Sequence, residues 1–272
     1  MSVLLFNKYF RKYWVLENKT SFPKPLLPMI PDSSIEVLCV KGGGFTIKTQ
    51  GVLSVFDEGI YLGGQLSGLM EMTLKPFTCI YILKLRPETI PLISDFQISE
   101  ITDSVISLKS VNKQLHYRLY SSLKDSRSIK AYVRSFLYYL DRNKERLRDA
   151  DFIKLCASYF QNSDESFIRL KKKILQDSKI SSKTLENKFN QYIGLTPKVY
   201  VNTFKLRKSV ESISFNSHNG SLTQLALDNG YYDQSHFIRE FKGLFKKAPT
   251  QLDFNDYFIP NSKDSFRYYT IY

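Results

Sequence analysis

The sequence predicts an α+β fold: a β-rich, barrel-like N-terminal part with a helical pair, then an all-α part of two helix-turn-helix units joined by a linker helix. Three observations predict it. Short β-branched and aromatic runs separated by Gly or Pro fill residues 35–85, the signature of a barrel or sandwich. A helical periodicity takes over from about Asn112. In the C-terminal part, a set of apolar residues recurs at a constant offset of 52, and independent coincidences at one offset are improbable. The expected divisions are 1–150, 155–256 and a tail at 257–272.

Length and composition allow this. At 272 residues with 43% hydrophobic and 14% aromatic content, the chain is globular and can bury a core without staples. No uncharged apolar run approaches the roughly 18 residues a membrane span needs. The start, MSVLLFNKYFRKYW, meets charge too early for a signal-peptide core. Cys39, Cys79 and Cys156 are widely spaced and odd in number, which fits buried free thiols in a reducing, cytoplasmic setting and not a disulfide or zinc framework. The net charge is +13; residues 166–250 hold 15 Lys and Arg against 6 Asp and Glu, or +9. A compact basic segment favours a polyanionic partner.

Taken in order, SIEVLCV, FTIKTQ, GVLSVF, GIYLGG, GLMEMTL and TCIYILKLR read as strands. The Gly42–Gly44 run lacks the Lys-Ser/Thr ending of a phosphate cradle, so a hairpin turn is expected there. Pro87 to Leu108 reads as turns and loops. Ile129, Val133, Phe136 and Leu140 then line one face of a helix running to about Leu147, with Lys130, Arg134 and Arg142 off that face. This helical pair packs back on the sheet or forms a dimer seam; the pattern suits both. Trp14 and Tyr13 read as core.

After Asp151 the chain reads as helical to about residue 254. Leu185, Phe189, Tyr192 and Ile193 match Phe237, Phe241, Leu244 and Phe245, and Pro197 matches Pro249. A shorter helix precedes each copy, at Phe167 to Gln176 and Leu222 to Asn229. Ser221 and Gln224 form a Ser-x-x-Gln capping-box pattern, Ala226 suits close helix approach, Gly230 suits a positive φ and Asp233 an N-cap. Each unit is helix, turn, helix, a plan whose second helix enters the major groove. The linker helix, Pro197 to Ile213, offers Phe204, Leu206, Val210 and Ile213 for burial.

SLTQLALDNGYYDQSHFIREFKGLFKKAPTQL resembles the C-terminal signature of the AraC/XylS family of transcriptional regulators. ISSKTLENKFNQYIGLTPKVYVNTFKLRKSVESI is similar to the first helix-turn-helix and linker of the same module. The resemblance rests on Leu225, Ala226, Gly230, Tyr231, Gln234, Ser235, Phe237, Arg239, Phe241, Lys242 and Pro249. It implies two recognition helices reading successive major-groove segments of double-stranded DNA. By position, the second helix offers Gln234, Ser235, His236, Ile238 and Arg239, and the first offers Lys183, Thr184, Glu186 and Asn187. Arg can bridge guanine O6 and N7, Asn and Gln can pair with adenine, and Glu can accept from cytosine. Lys188, Lys198 and Lys242 suit phosphate. The same resemblance implies RNA polymerase, a small-molecule effector and a second copy of the chain as further partners. Lys246 and Ala248 stand where the family commonly has Gly and Thr, and Leu175 stands where it has Ala.

Other classes fit less well. His116, His218 and His236 lie apart from one another and from Cys, so no metal site is expected. Cys156 sits in KLCASY, without the zinc-bound cluster or Pro-Cys-His nucleophile of repair alkyltransferases. No nucleotide fingerprint, catalytic triad or carboxylate pair appears, so no enzyme activity, catalytic residue or cofactor is expected. A non-specific architectural nucleic-acid-binding protein is the remaining alternative, because charge alone also fits it.

Overall fold

The computed structural model describes residues 3–49, 51–125, 129–143, 147–161, 165, 167–214, 220–257 and 266–271. Helix α1 (Val3–Tyr9) leads into β1 (Phe10–Asn18), β2 (Lys24–Pro25), β3 (Ile35–Gly42), β4 (Phe45–Thr49), β5 (Val52–Phe56), β6 (Gly59–Gly63), β7 (Glu71–Leu74) and β8 (Thr78–Leu85). A 3-10 turn at Pro87–Thr89, α2 (Ile90–Ile93), a 3-10 turn at Ile98–Ile101, β9 (Val105–Ser107) and α3 (Leu108–Val111) follow. The stretch read as loop is thus short helices and a strand. Then come α4 (Lys113–Asp125), α5 (Ile129–Arg142), α6 (Leu147–Gln161), α7 (Phe167–Ser178), α8 (Ser182–Tyr192), α9 (Pro197–Ser214), α10 (Leu222–Asp228), α11 (Gln234–Phe245) and β10 (Phe266–Ile271).

The strands form two sheets, ordered β10-β1-β8-β3-β6-β9 and β2-β7-β4-β5. Alternation along the strands decides what each face meets. Trp14, Leu16, Leu38, Val40, Ile80 and Ile82 of the larger sheet pack against Phe45, Ile47, Met72 and Leu74 of the smaller. The opposite face of the larger sheet, through Phe10, Val37, Cys39, Ile60, Leu62, Leu83 and Leu85, packs against helices. The sheet is therefore buried on both sides, which is why β3 and β8 read as almost continuous apolar runs.

Two local expectations change. Gly42 and Gly44 do not make a hairpin: β3 pairs with β6 and β8, whereas β4 pairs with β5 and β7. The glycines carry the chain from one sheet to the other at φ 86° and 90°. A Cβ on Gly42 would lie 2.1 Å from the Phe77 carbonyl oxygen, and one on Gly44 2.1 Å from that of Phe56, so Gly is required there. The helix expected to reach Leu147 ends at Arg142. Its apolar face is spent on the core, since Tyr132, Val133, Phe136, Leu137, Tyr139 and Leu140 are all buried.

The larger core does not stop at the expected boundary. The division near 150–155 falls inside α6, and Ala150, Ile153, Cys156 and Phe160 of that helix join the N-terminal core. Leu170, Ile174, Leu185, Phe189, Tyr192 and Tyr200 belong to the same cluster. A separate cluster holds Leu206, Val210, Leu225, Ala226, Tyr231, Phe237, Phe241 and Phe245, completed by Ile30 from the N-terminal part. The tail also returns: β10 pairs parallel with β1 over Tyr13↔Phe266 to Asn18↔Ile271. A parallel neighbour needs a long crossover, here the whole helical part.

Where the sheets meet α9, charge is buried. Lys84, 4% exposed, reaches Asp32 at 2.6 Å and Glu36 at 2.5 Å and lies 4.2 Å from the Trp14 ring centre. Burial alone would raise the Asp32 carboxyl, but Lys84, Lys12 and Arg207 hold it well below the ordinary range. Lys12 has the reverse problem: burial, then the charge of Lys84, lowers its ammonium to about 8 from 10.5. Between those values the unfolded chain binds more protons than the folded one, so this group's contribution to stability rises with pH. Below pH 8 the fold carries a poorly solvated charge. Lys12→Met should therefore stabilise the protein by about 1–3 kcal/mol at pH 7, with the advantage shrinking towards pH 10. Denaturant unfolding of both proteins at the two pH values measures this. A variant no more stable at pH 7 sinks it.

Candidate DNA-binding surface

The repeat of 52 residues is two copies of one packing unit. Leu185, Phe189 and Tyr192 of α8 and Phe237 and Phe241 of α11 are buried, with Leu244 half-buried. Pro197 and Pro249 are both buried where the following α9 and 3-10 turn begin. The second helix of each unit starts on a side-chain cap. Ser181 accepts from the Thr184 amide at 3.1 Å, and Asp233 from the His236 amide at 2.7 Å; each satisfies a first-turn amide that the helix cannot.

The turn of the second unit is built as its residues suggest. Gly230 takes φ 73°, Ala226 is fully buried, and the Tyr231 amide donates to the Ala226 carbonyl at 3.0 Å. Ser221 caps the Gln224 amide at 3.2 Å, but the Gln224 side chain donates to Asp228 at 2.6 Å. Only half of the expected capping box forms. At the exit, Lys246 adopts φ 59° as the C-cap, a left-handed conformation Gly would take at lower cost.

The linker helix ties the units together. α9 has 18 residues, about 27 Å at 1.5 Å per residue. Its first half, through Tyr200 and Val201, joins the core of α8; its second half, through Leu206 and Val210, joins that of α10 and α11. Ile213 and Phe204, also expected inside, are half-buried.

Not all of the expected contact residues face solvent alike. On α11, Ser235, Arg239 and Lys242 are exposed at i, i+4 and i+7, one helical face. Gln234 accepts from Thr223 at 2.7 Å. His236 is half-buried, edge-on to the Tyr231 ring at 5.4 Å, with Nε2 3.8 Å from Glu240. Ile238 packs partly on the core. On α8, Lys183 and Asn187 are exposed at i and i+4. Thr184 is hydrogen-bonded to the Ser181 hydroxyl at 2.9 Å. Glu186 accepts from Lys171 at 2.9 Å and Ser182 at 3.3 Å, and the Lys171 bond holds its carboxyl below the ordinary range. Lys188 is turned to α6: it pairs with Asp149 and lies 5.6 Å from the Phe152 ring centre. Lys198 is exposed. Sequence reasoning passed over Tyr232, 87% exposed just before the α11 cap.

A helix-turn-helix domain family model matches residues 174–253, both recognition helices and the linker. The C-terminal module is thus a helix-turn-helix domain of the AraC/XylS type. The HTH-type transcriptional activators RhaS of Salmonella arizonae and Salmonella paratyphi B are each 29% identical over 79 residues, 29% of this chain and 28% of theirs. The similarity thus spans little more than a quarter of those relatives. ToxT from Vibrio cholerae O395 is a structural neighbour at 11% identity and TM-score 0.43, covering 88% of this chain and 95% of ToxT. Among the described residues, no group of three His, Cys, Asp or Glu could hold a metal ion, and no helix is long and apolar enough to cross a membrane. Burial raises all three thiols, that of Cys156 to about 12, leaving little thiolate for chemistry. His218 lies outside the described residues.

Proposed function

We propose that the chain is a sequence-specific double-stranded DNA-binding transcriptional regulator of the cytoplasm, with no catalytic role of its own. The observation that carries this is the pair of capped helices α8 and α11 fixed to one rigid α9, each presenting exposed Lys, Arg or Asn from a shared basic segment. A linker of about 27 Å suits two helices that read the same duplex about one turn apart, near 34 Å. Arg239, Ser235, Asn187 and Lys183 are the base-reading set in this proposal. Lys242 and Lys198 neutralise phosphate, and Lys188 holds α8 to α6. Promoter-bound regulator would act on RNA polymerase.

The N-terminal part is the regulatory half. A small, partly enclosed cavity of about 40 Å³ lies where the two sheets meet α9. Trp14, Met29, Leu38 and Met70 give it apolar walls, and Asp32, Glu36, Lys84 and Arg207 line it with charge of both signs; apolar walls with a few placed polar groups suit a small effector.

The test is a titration against specific and random duplexes. Specific DNA should win by about 10³ or more, with steep salt dependence. Arg239→Ala should cost about 1–3 kcal/mol and relax preference at one base pair, whereas Lys242→Ala should weaken every sequence alike. Equal affinity for both duplexes would identify a non-specific architectural protein instead.

A further inference from the structure

The basic charge of the N-terminal part sits in one place. Residues 1–108 balance, with ten Lys and Arg against ten Asp and Glu, whereas residues 109–142, from α3 to the end of α5, hold eight against two. The inner sides of α4 and α5 are apolar and buried, through Leu115, Leu119 and Leu123 and through Val133, Phe136 and Leu140, so the cations take the outer side. Lys130, Arg134, Tyr138 and Arg142 recur every four residues along α5, and Lys113, Tyr117, Ser121 and Lys124 run along α4. All are exposed, and each row is one helical face. The Arg118 Nε donates to the Ser135 carbonyl at 3.2 Å, which ties the two rows side by side.

Rings, not carboxylates, hold these cations. Arg118 lies 3.9 Å and Arg142 4.8 Å from the Tyr138 ring centre, and Lys109 lies 5.5 Å from that of Tyr117. Among the described residues, no acidic side chain pairs with Arg118, Arg134 or Arg142. A ring quadrupole steadies a cation without neutralising it. The surface therefore keeps its positive potential while two of its guanidinium groups are held in place. Tyr117 and Tyr138 are 54% and 44% exposed, and each leaves apolar ring area uncovered. Ordered Arg around exposed Tyr is the composition of a protein-interface hot spot.

We propose that the α4–α5 face docks an acidic segment of a different protein, one whose Asp and Glu side chains alternate with apolar ones. The carboxylates take the forked guanidinium groups of Arg118, Arg134 and Arg142, and the apolar side chains cover Tyr117 and Tyr138. Other occupants match the face less well. A phosphodiester backbone supplies negative charge but nothing apolar to cover the rings. A bilayer surface calls for Trp, Phe or Leu on the exposed side of a helix, and the exposed large hydrophobic residues of these two helices are both Tyr. A second copy of the chain brings the same excess of six positive charges, and like charges repel. Two short helical rows make a small, polar contact, so the complex is transient and weakens with salt. It uses neither the reading helices α8 and α11 nor the cavity beside α9.

The test is fluorescence anisotropy of the full-length chain with a labelled peptide of alternating Glu-Glu and Leu-Leu pairs, about four helical turns long. Arg118→Glu combined with Arg142→Glu should weaken peptide binding at least about tenfold. Lys113→Glu with Arg134→Glu, a second pair on the same face, should act in the same direction. Tyr138→Ala removes no charge and should still cost at least about fivefold, as the loss of a Tyr anchor does. Lys154→Glu with Lys172→Glu, exposed on α6 and α7, makes the same change in net charge elsewhere and should alter affinity less than about twofold. A peptide of equal charge with Ser in place of Leu should bind more weakly and be insensitive to Tyr138→Ala. Random duplex DNA and vesicles of anionic phospholipid should bind the native chain and the Arg118–Arg142 variant alike, and unchanged thermal unfolding midpoints should show that the variants are folded. No binding of the Leu peptide to the native chain, equal weakening by the α6–α7 control, an unaffected Tyr138→Ala variant, or a loss confined to the duplex or the vesicles would each overturn the proposal.

Discussion

The fragment 155–256 should fold only in its second half. The sequence presents this segment as a free-standing module, but starting at residue 155 removes Ala150 and Ile153 from the core of α8. It also removes Asp149, which pairs with Lys188 and accepts from the Tyr192 hydroxyl at 2.9 Å. The N-terminal part holds the same unit by further contacts. Thr102 donates to the Gly194 carbonyl at 2.8 Å, and Arg11 to the Tyr200 hydroxyl at 3.2 Å. A Cβ on Gly194 would meet Ile98 at 2.9 Å, so the exit of α8 sits directly on the 3-10 turn at Ile98–Ile101. Losing several fully buried apolar contacts at about 2–5 kcal/mol each exceeds what one small helical unit can spare. The second unit loses Ile30, the partly buried Leu69 and Tyr257, whose ring meets Phe245 edge-on at 5.1 Å, but keeps Phe237, Phe241 and Phe245. Hydrogen exchange on the fragment should show protected amides in α10 and α11 and near-free exchange in α7 and α8. Specific DNA affinity should fall by more than about 100-fold, the value of one lost reading head at about 3 kcal/mol. Cooperative unfolding with both units protected would refute this.

What was legible in the sequence was local. The 3.6 periodicity of Phe237, Phe241 and Leu244, the caps Ser221 and Asp233, and Gly230 each act within one turn of the chain, so a short window contains the whole cause. The AraC/XylS-type module was legible because it is made of such pieces, repeated. Partnership across the chain was not. Lys188 has the composition of a phosphate contact; only the arrival of Asp149, 39 residues away, turns it inward. Glu186 is likewise claimed by Lys171. The Gly42–Gly44 run signals a change of direction, but two strands joined by glycines look the same whether they pair with each other or enter different sheets. The stripe on α5 fits a sheet or a twin helix equally, and burial against the sheet decided it. The pairing of β1 with β10 links the two ends of the chain and has no local trace beyond strand propensity.

Lys84→Met should be the most damaging single substitution at the base of the cavity, costing about 3–5 kcal/mol because it leaves buried carboxylates without their counter-charge. The Asp32 and Glu36 side chains are only 14% and 21% exposed, and both are within hydrogen-bond reach of the one ammonium. Against a total stability of about 5–15 kcal/mol, that loss brings the chain close to unfolding at physiological temperature. Removing the charges together should behave differently. Lys84→Met combined with Asp32→Asn and Glu36→Gln should recover much of the loss, since a neutral buried cluster carries no ionic desolvation cost. Lys12 supplies a second readout. Its ammonium is held near pH 8 by burial first and by Lys84 next, while Asp32 pulls it upward. With Lys84 gone, the repulsion disappears and the attraction remains, so Lys12 should titrate higher and take over part of the neutralisation. Lys12→Met, stabilising in the native background at pH 7, should then become destabilising in the Lys84→Met background. Urea unfolding of the four proteins in that double-mutant cycle measures the coupling. Additive changes, with Lys12→Met keeping its sign in both backgrounds, would show that the two lysines do not share Asp32 and that the buried network is weaker than its geometry implies.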